Sequence, residues 1–411
     1  MTKTRTSIPL PSKGIWPGLA TVPAAPLRAA AAERLFRHAV RTIPVRVEFP
    51  DGRVLGAGGP DAPVMRLHRP GHFFRRLGAD AKIGFGEAYM VGDWSSPEVA
   101  DVLTPFAARM ATLVPRPLQA LRRIAERTQP SAEDNDLAGA RENIHRHYDL
   151  SNELFSIFLD ETMTYSSAWF SDPEQPLVDA QLRKIDGVLD FAAVGPDTHL
   201  LEIGTGWGAL AIRAAQRGAR VTTLTLSAEQ KTLAEQRIQA AGVADRVQVL
   251  LRDYREAHGS YDAVVSVEMI EAVGKGYWPT YFATLDRLVR PGGRIGLQAI
   301  TMPHERMLAT ANAYTWIHKY VFPGGLIPSV EAIEDAVAQH TGLRVVHDRS
   351  FGQDYALTLR LWRRRFLDRW REVAALGFDE TFRRMWEFYL AYSEAGFRAG
   401  YLDVRQFGLT K

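Results

Sequence analysis

Short, almost wholly apolar runs recur along the second half of the chain, each closed by a glycine or polar turn and followed by a segment of helical period. Residues 199–203, 220–225, 247–251 and 263–267 read as strands, with helices over 209–217 and 228–241 between them. The runs are rich in β-branched residues and do not alternate, as strands buried on both faces require. Pro291-Gly292-Gly293 turns a further helix into the strand 294–299. The pattern predicts an α/β fold, a doubly wound, Rossmann-like parallel sheet with helices on both faces.

The first part of the chain is patterned differently. Ile43, Val45, Val47 and Phe49 alternate with Pro44, Arg46 and Glu48, and Asp51-Gly52 supplies a tight turn before Val54 and Leu55, which predicts a hairpin. Residues 64–68 read as a strand, 84–94 are rich in glycine and aromatic residues, and 98–124 have helical spacing. A small α+β domain over 1–126 follows. The polar, proline-containing stretch that begins at Arg127 predicts a linker over 127–140, leaving 141–411 as the larger domain.

Composition narrows the chemistry. With 411 residues, 46% of them apolar, the chain is long enough for a large domain beside a smaller one. It has no cysteine, which excludes disulfides, thiolate metal sites and cysteine nucleophiles. The first twenty residues lack the apolar core of a signal peptide, and no run approaches the ~20 apolar residues of a spanning helix. The expectation is a cytoplasmic protein whose membrane contact is peripheral, at the inner face. A net charge of +3 and a pI near 9.0 suit anionic surfaces but not a dedicated nucleic-acid binder, and no nucleic acid is expected. His145 and His147, at i and i+2, point to different faces of a helix, and His304, His318 and His340 are scattered, so no metal site is read.

The strand 199–203 runs into Gly204-Thr205-Gly206-Trp207-Gly208 and then an alanine-rich helix. Glycines at alternate positions permit backbone torsions and ligand approach that a Cβ would block, and the helix start offers unpaired N–H groups. Gly204, Gly206 and Ala209 satisfy the loose dinucleotide pattern as well, so the turn alone fits a nicotinamide or flavin enzyme or an S-adenosylmethionine (SAM) methyltransferase. A dinucleotide fold expects an acid at the end of the second strand. Thr225-Leu226-Ser227 stands there instead, leaving Thr225 or Gln230 to meet a ribose. Asp253-Tyr254, just past the third strand, can face an adenine edge, or Asp253 can simply cap a helix.

From Asn143 onward the chain resembles the cyclopropane-fatty-acyl-phospholipid synthase family, which includes mycolic-acid cyclopropane synthases and the methyltransferases of 10-methyl-branched, tuberculostearic-type acids. The matching blocks are His147-Tyr148-Asp149-Leu150-Ser151-Asn152, Met163 to Ser167, Glu202 to Gly208, Thr225 to Gln230, Val267-Glu268-Met269-Ile270-Glu271-Ala272-Val273-Gly274, Lys319 to Gly325, and Tyr389 to Asp403. Gly86-Glu87-Ala88-Tyr89 and Gly92-Asp93-Trp94 resemble the N-terminal lipid-engaging domain of the full-length phospholipid enzymes. The resemblance implies SAM held by Tyr165, Ser166, Gly204, Gly206, Thr225, Gln230, Asp253 and Tyr254. It implies a methyl-transfer pocket of Glu271, Gln298, Ile300, Tyr355 and Ser167. In much of the family these last groups hold a bicarbonate ion that acts as base. Here Ser167 stands where Cys is usual and Gln298 where His is usual, and a neutral amide donates hydrogen bonds but relays no proton.

Methylation of an acyl-chain double bond leaves a carbocation, which must be shielded and must then lose a proton. Tyr277, Trp278, Tyr314, Trp316, Tyr320 and Phe322 supply rings, read as core or acyl-channel lining. Glu271 lies just past a strand at the carboxyl end of the sheet, where open α/β folds bind ligands, although an acid there can also offset a helix dipole. Tyr355 can orient the base through its hydroxyl. The cluster Arg360, Arg363, Arg364, Arg365 and Arg369 reads as a solvated helix face, with anionic headgroups as its alternative partners. Loss of a proton from the added methyl group closes a cyclopropane, whereas a preceding hydride shift gives a methylene that a partner reductase would saturate. The Glu268 to Glu271 and Gln298 to Thr301 variants lean toward branching. The substrate implied is a phospholipid with an unsaturated acyl chain, and a homo-oligomer is compatible with the sequence. The competing classes are a nicotinamide or flavin oxidoreductase and a non-catalytic lipid-binding protein.

Overall fold

In a computed structural model, residue 16 and residues 18–110 and 151–411 are described. The linker over 127–140, the His147 to Leu150 block and the helical spacing beyond residue 110 lie outside them. Two compact units result. The first joins the N-terminal residues to Tyr314–Val321 and Trp370–Ala399, and the second comprises Gln129–Ala313, Phe322–Arg369 and Gly400–Lys411. This differs from a continuous domain over 141–411. Helical periodicity marks which face of a segment is apolar but not which body will cover it.

In the first unit, β1 (Arg46–Glu48), β2 (Val54–Leu55), β3 (Val64–Leu67) and β4 (Trp94–Ser95) form a sheet in the order β2-β1-β3-β4. The expected hairpin is the antiparallel β1-β2 pair, with Val47 opposite Leu55 and Gly52 at φ +87° in its turn. The glycine- and aromatic-rich stretch opens as the helix Ala81–Met90, capped by Asp80, whose carboxylate accepts from the N–H groups of Lys82 and Ile83. A Cβ on Gly86 would lie 2.6 Å from the Trp316 ring and 2.9 Å from Phe388, so only glycine admits those rings. Trp316 and Phe388 meet edge to face, their centroids 4.8 Å apart, and both are buried. Burial of these rings is what draws the two C-terminal segments into this unit.

The second unit holds a seven-stranded sheet. β5 (His199–Ile203), β6 (Arg220–Thr225) and β7 (Val247–Leu251) run parallel to one edge, and β8 (Tyr261–Val267) and β9 (Val289–Thr301) run parallel on the other side of β5. The four expected strands are present, and the fifth is longer than its 294–299 core. Pro291-Gly292-Gly293 does not end an element: it bulges out of β9 where Tyr261 and Ala263 pair with Val289 and Arg294. Beyond β9 lie β11 (Asp403–Thr410) and then β10 (Arg344–Ser350), paired antiparallel, giving the order β10-β11-β9-β8-β5-β6-β7. An antiparallel strand at that place departs from the all-parallel dinucleotide fold.

Successive residues face opposite layers. Leu200, Val221, Ala263 and Val265 pack under the helices Leu177–Phe191 and Ala209–Gln216. Leu201, Ile203, Leu224 and Val264 pack with Tyr281, Phe282 and Leu285 of the helix Trp278–Leu288. The strand order reverses between β5 and β8, which opens the crevice used for ligands in such sheets at their carboxyl ends.

Candidate active site

The glycine turn stands at that crevice. Gly204, Gly206 and Gly208 take φ of +100°, +51° and +89°, a region costly to residues with a Cβ. The three are not equivalent. A Cβ at Gly204 would press on the Met269 side chain at 2.9 Å, and one at Gly208 would touch Ala234 at 3.3 Å, whereas at Gly206 it would meet nothing within 4 Å among the described residues. Space is therefore left over Gly206. The turn is anchored from below: Gly204 and Thr205 N–H donate to the Leu224 carbonyl, Thr205 bonds the Thr223 hydroxyl at 2.7 Å, and Thr223 donates to the Glu202 carboxylate at 2.6 Å. Glu202 is buried, which pushes its pKa up to about 8.

At the ends of the next strands, Thr225 donates to Gln230 at 3.0 Å and accepts from Ser227 N–H, so both expected ribose candidates are held in one buried bend. Asp253 does what its simpler reading foresaw. Its carboxylate caps the short helix Tyr254–Glu256 and forms a two-oxygen pair with Arg255, so it shapes the loop rather than standing free. Tyr254 is buried, its ring against Tyr281.

Past β8 come two carboxylates. Glu268 has φ +52°, unusual for a side chain of its size, and its carboxylate accepts from Ser167 N–H at 2.9 Å, the Gln298 amide at 2.8 Å and the Tyr355 hydroxyl at 2.8 Å. Burial pushes its pKa up, while Lys184 and the three donors oppose that shift. Glu271 accepts from Ile300 N–H on one oxygen; the other is buried and has no hydrogen-bond partner among the described residues. Burial first, and the negative charge of Glu268 second, push Glu271 up to about 8. Met269, between the two acids in sequence, is the residue that packs on Gly204. The segment that carries the acid pair thus contacts the glycine turn through Met269.

Tyr165, Ser166 and Ser167 lie in one loop. The Ser167 hydroxyl turns away to the Ala168 carbonyl, so this residue serves the cluster through its backbone. Ser166 accepts from Lys184 Nζ at 2.6 Å, and its carbonyl accepts from Gln181 at 2.9 Å. Lys184 is fully buried, and desolvation lowers its pKa to about 8 despite the nearby acids Glu268, Asp160 and Glu202. Sequence reading missed Glu268 as a site residue and missed Lys184 and Gln181 altogether. The signals were an acid directly after an apolar strand, and two polar residues on the face of a helix that otherwise carries Leu177, Ala180 and Val188. Lys184→Met should lower stability by about 3 kcal/mol, because it leaves buried carboxylates without their cation. Denaturant unfolding with a midpoint equal to wild type would contradict this.

Other expectations change. The arginine cluster does not share a solvated face: Arg363 is buried and Arg364 exposed, while Arg369 donates to the Ile157 carbonyl. Trp278 lies in the core of the second unit, but Trp316 lies in the first.

The open space at Gly206, with Thr225, Gln230 and Ser166 around the same edge of the sheet, fits the SAM that the resemblance implies. Bicarbonate does not fit. The groups that would hold it are spent on the chain's own carboxylates: Ser167, Gln298 and Tyr355 on Glu268, and Ile300 on Glu271.

Comparison with known proteins finds relatives over most of the chain. The family model described as mycolic acid cyclopropane synthetase matches residues 135–407. The tuberculostearic acid methyltransferase of Mycobacterium tuberculosis is 56% identical over 406 residues, 96% of this chain and 95% of that protein. The cyclopropane-fatty-acyl-phospholipid synthase of Escherichia coli is 34% identical over 344 residues, 83% of this chain and 86% of that one. Among solved structures, a mycolic acid cyclopropane synthase complexed with SAH and CTAB matches with a TM-score of 0.61 at 30% identity, covering 69% of this chain and 99% of that one.

Proposed function

The chain belongs to the mycolic acid cyclopropane synthetase family, and from that membership we propose that it methylates the cis double bond of an unsaturated acyl chain carried by a phospholipid, giving a 10-methylene or methyl-branched product. At the coarser level it is a SAM-dependent methyltransferase of lipid acyl chains, with the fold of class I SAM methyltransferases. The branched outcome follows the tuberculostearic acid methyltransferase, its more similar relative, rather than the cyclopropane synthases.

What supports this reading is that Met269, between the two acids in sequence, packs on Gly204, so that the segment bearing the proposed proton acceptor borders the cofactor cradle. SAM bound there supplies an electrophilic methyl group. Gly204, Gly206 and the start of the helix Ala209–Gln216 would hold it, with Thr225, Gln230, Ser166, Tyr165 and the Asp253-Tyr254 loop. Glu271 accepts the proton: its unpartnered oxygen is buried, and desolvation gives it the basicity to do so. Tyr355, Gln298 and Ser167 orient the neighbouring carboxylate, and Ile300 N–H orients Glu271 itself. Water exclusion from this buried cluster protects the cationic intermediate.

Among the described residues no helix is long and apolar enough to cross a membrane. Peripheral contact with the phospholipid surface is part of the same proposal, and a methylene product would need a separate hydride donor to become a methyl branch. Expression in a host whose phospholipids carry cis-monounsaturated chains tests the reading. Mass spectrometry of the fatty acids should show a methylene- or methyl-branched acid. A cyclopropane alone would refute the branching assignment, and unchanged fatty acids would refute the function.

A further inference from the structure

Glu268 has the most polar contacts of the two acids yet holds no position from which the proposed chemistry requires a proton. Its three donors come from distant parts of the chain, and one of them is itself locked. Gln406, opposite Gln298 in the β11-β9 ladder, donates one N–H to the Gln298 carbonyl oxygen at 3.0 Å and the other to the Lys184 carbonyl at 2.9 Å. This fixes the Gln298 amide so that its NH2 group points at Glu268. The backbone at Glu268 is meanwhile in a conformation suited to glycine, at a cost on the order of 1 kcal/mol. Hydrogen bonds hold a carboxylate where the main chain does not favour one.

We propose that the Glu268 carboxylate is a resident anion, a part of the chain that takes the place of bicarbonate and so frees the reaction from any added ion. The inference rests on the assignment of Glu271 as proton acceptor. Lys184 and the three donors favour the ionised form of Glu268 against its burial, and a negative charge there raises Glu271. A bicarbonate ion here would add a negative charge to two buried carboxylates, of which Glu268 already has Lys184 acting on it while its charge raises Glu271. The step closes without it. The alkene electron pair forms the bond to the methyl carbon as the sulfonium becomes a neutral thioether, leaving a cation that Glu268 faces with opposite charge. A 1,2-hydride shift moves the cation onto the carbon that bears the new methyl group; a methyl C–H pair then becomes the π bond of the methylene, and its proton passes to Glu271, which returns it to water after product release.

Glu268→Gly is the informative variant, since it relieves the backbone and vacates the three donors. Carbon-13 NMR of labelled bicarbonate with the SAM-loaded protein should show no bound ion for wild type and a bound ion for Glu268→Gly. Wild-type turnover should be the same in bicarbonate-free and bicarbonate-containing buffer. The variant should lose about 100-fold without the ion and regain activity when it is added, whereas Glu268→Gln should remain low in both. Bicarbonate bound by both proteins or by neither, or a wild type that needs the ion, overturns the proposal. The NMR result requires no turnover, so it decides this point even if the acyl-chain reading fails.

Discussion

Glu271→Gln should reduce turnover by about 1,000-fold while leaving SAM affinity within a few fold, because the amide keeps the shape and the Ile300 hydrogen bond but cannot take a proton. The loss cannot be ascribed to unfolding. In the folded chain Glu271 holds its proton up to about 8, against the ordinary 4.5. The folded state therefore binds more protons than the unfolded state between those values. This contribution to stability is fully present below about 4.5 and is lost as the pH rises through about 8. Glutamine resembles the protonated acid, so at pH 8 the variant should be at least as stable as wild type. Wild-type turnover should rise with pH toward the same value as the acceptor loses its proton, and the residual activity of the variant should not follow it. Full turnover by Glu271→Gln would remove this residue from the chemistry.

Gly206→Val should weaken SAM binding by more than about 100-fold. No described residue lies within 4 Å of a Cβ placed there, so no packing contact among them demands glycine at this position. What demands it is the torsion, φ +51°, and the space that the ligand takes up. Gly206→Ala separates the two, since alanine shares the torsional cost of a Cβ but intrudes less and should show a smaller loss. Gly204→Ala is expected to act differently, by displacing Met269 and with it the segment between the two acids. Calorimetry giving Gly206→Val the affinity of wild type would mean the cofactor lies elsewhere.

The sheet was legible in the sequence because strands such as 199–203 and 220–225 are covered on both faces, which leaves uninterrupted apolar runs that tertiary context does not reverse. The glycine turn was legible for a similar reason, since its torsions exclude other residues locally. The joining of Trp316 and the helix Glu380–Arg398 to the first unit was not legible, because edge-to-face ring packing between remote segments leaves no periodic trace. Asp253 was caught between two roles by residue type, and Arg255 two positions on decided it. Glu268 was quoted within a matching block but given no role. Its partners, Ser167, Gln298 and Tyr355, lie up to 101 residues away, so nothing in its immediate neighbours announces the contacts.

The most direct measurement combines the purified chain, SAM carrying a carbon-13 methyl group, and vesicles of a phospholipid with cis-monounsaturated acyl chains, followed by mass spectrometry of the released fatty acids. The expected result is an acyl chain enlarged by one labelled carbon and two hydrogens, with the double-bond carbons as the point of attachment. Labelled carbon confined to the headgroup, or acyl chains free of label while SAM is consumed, would contradict it.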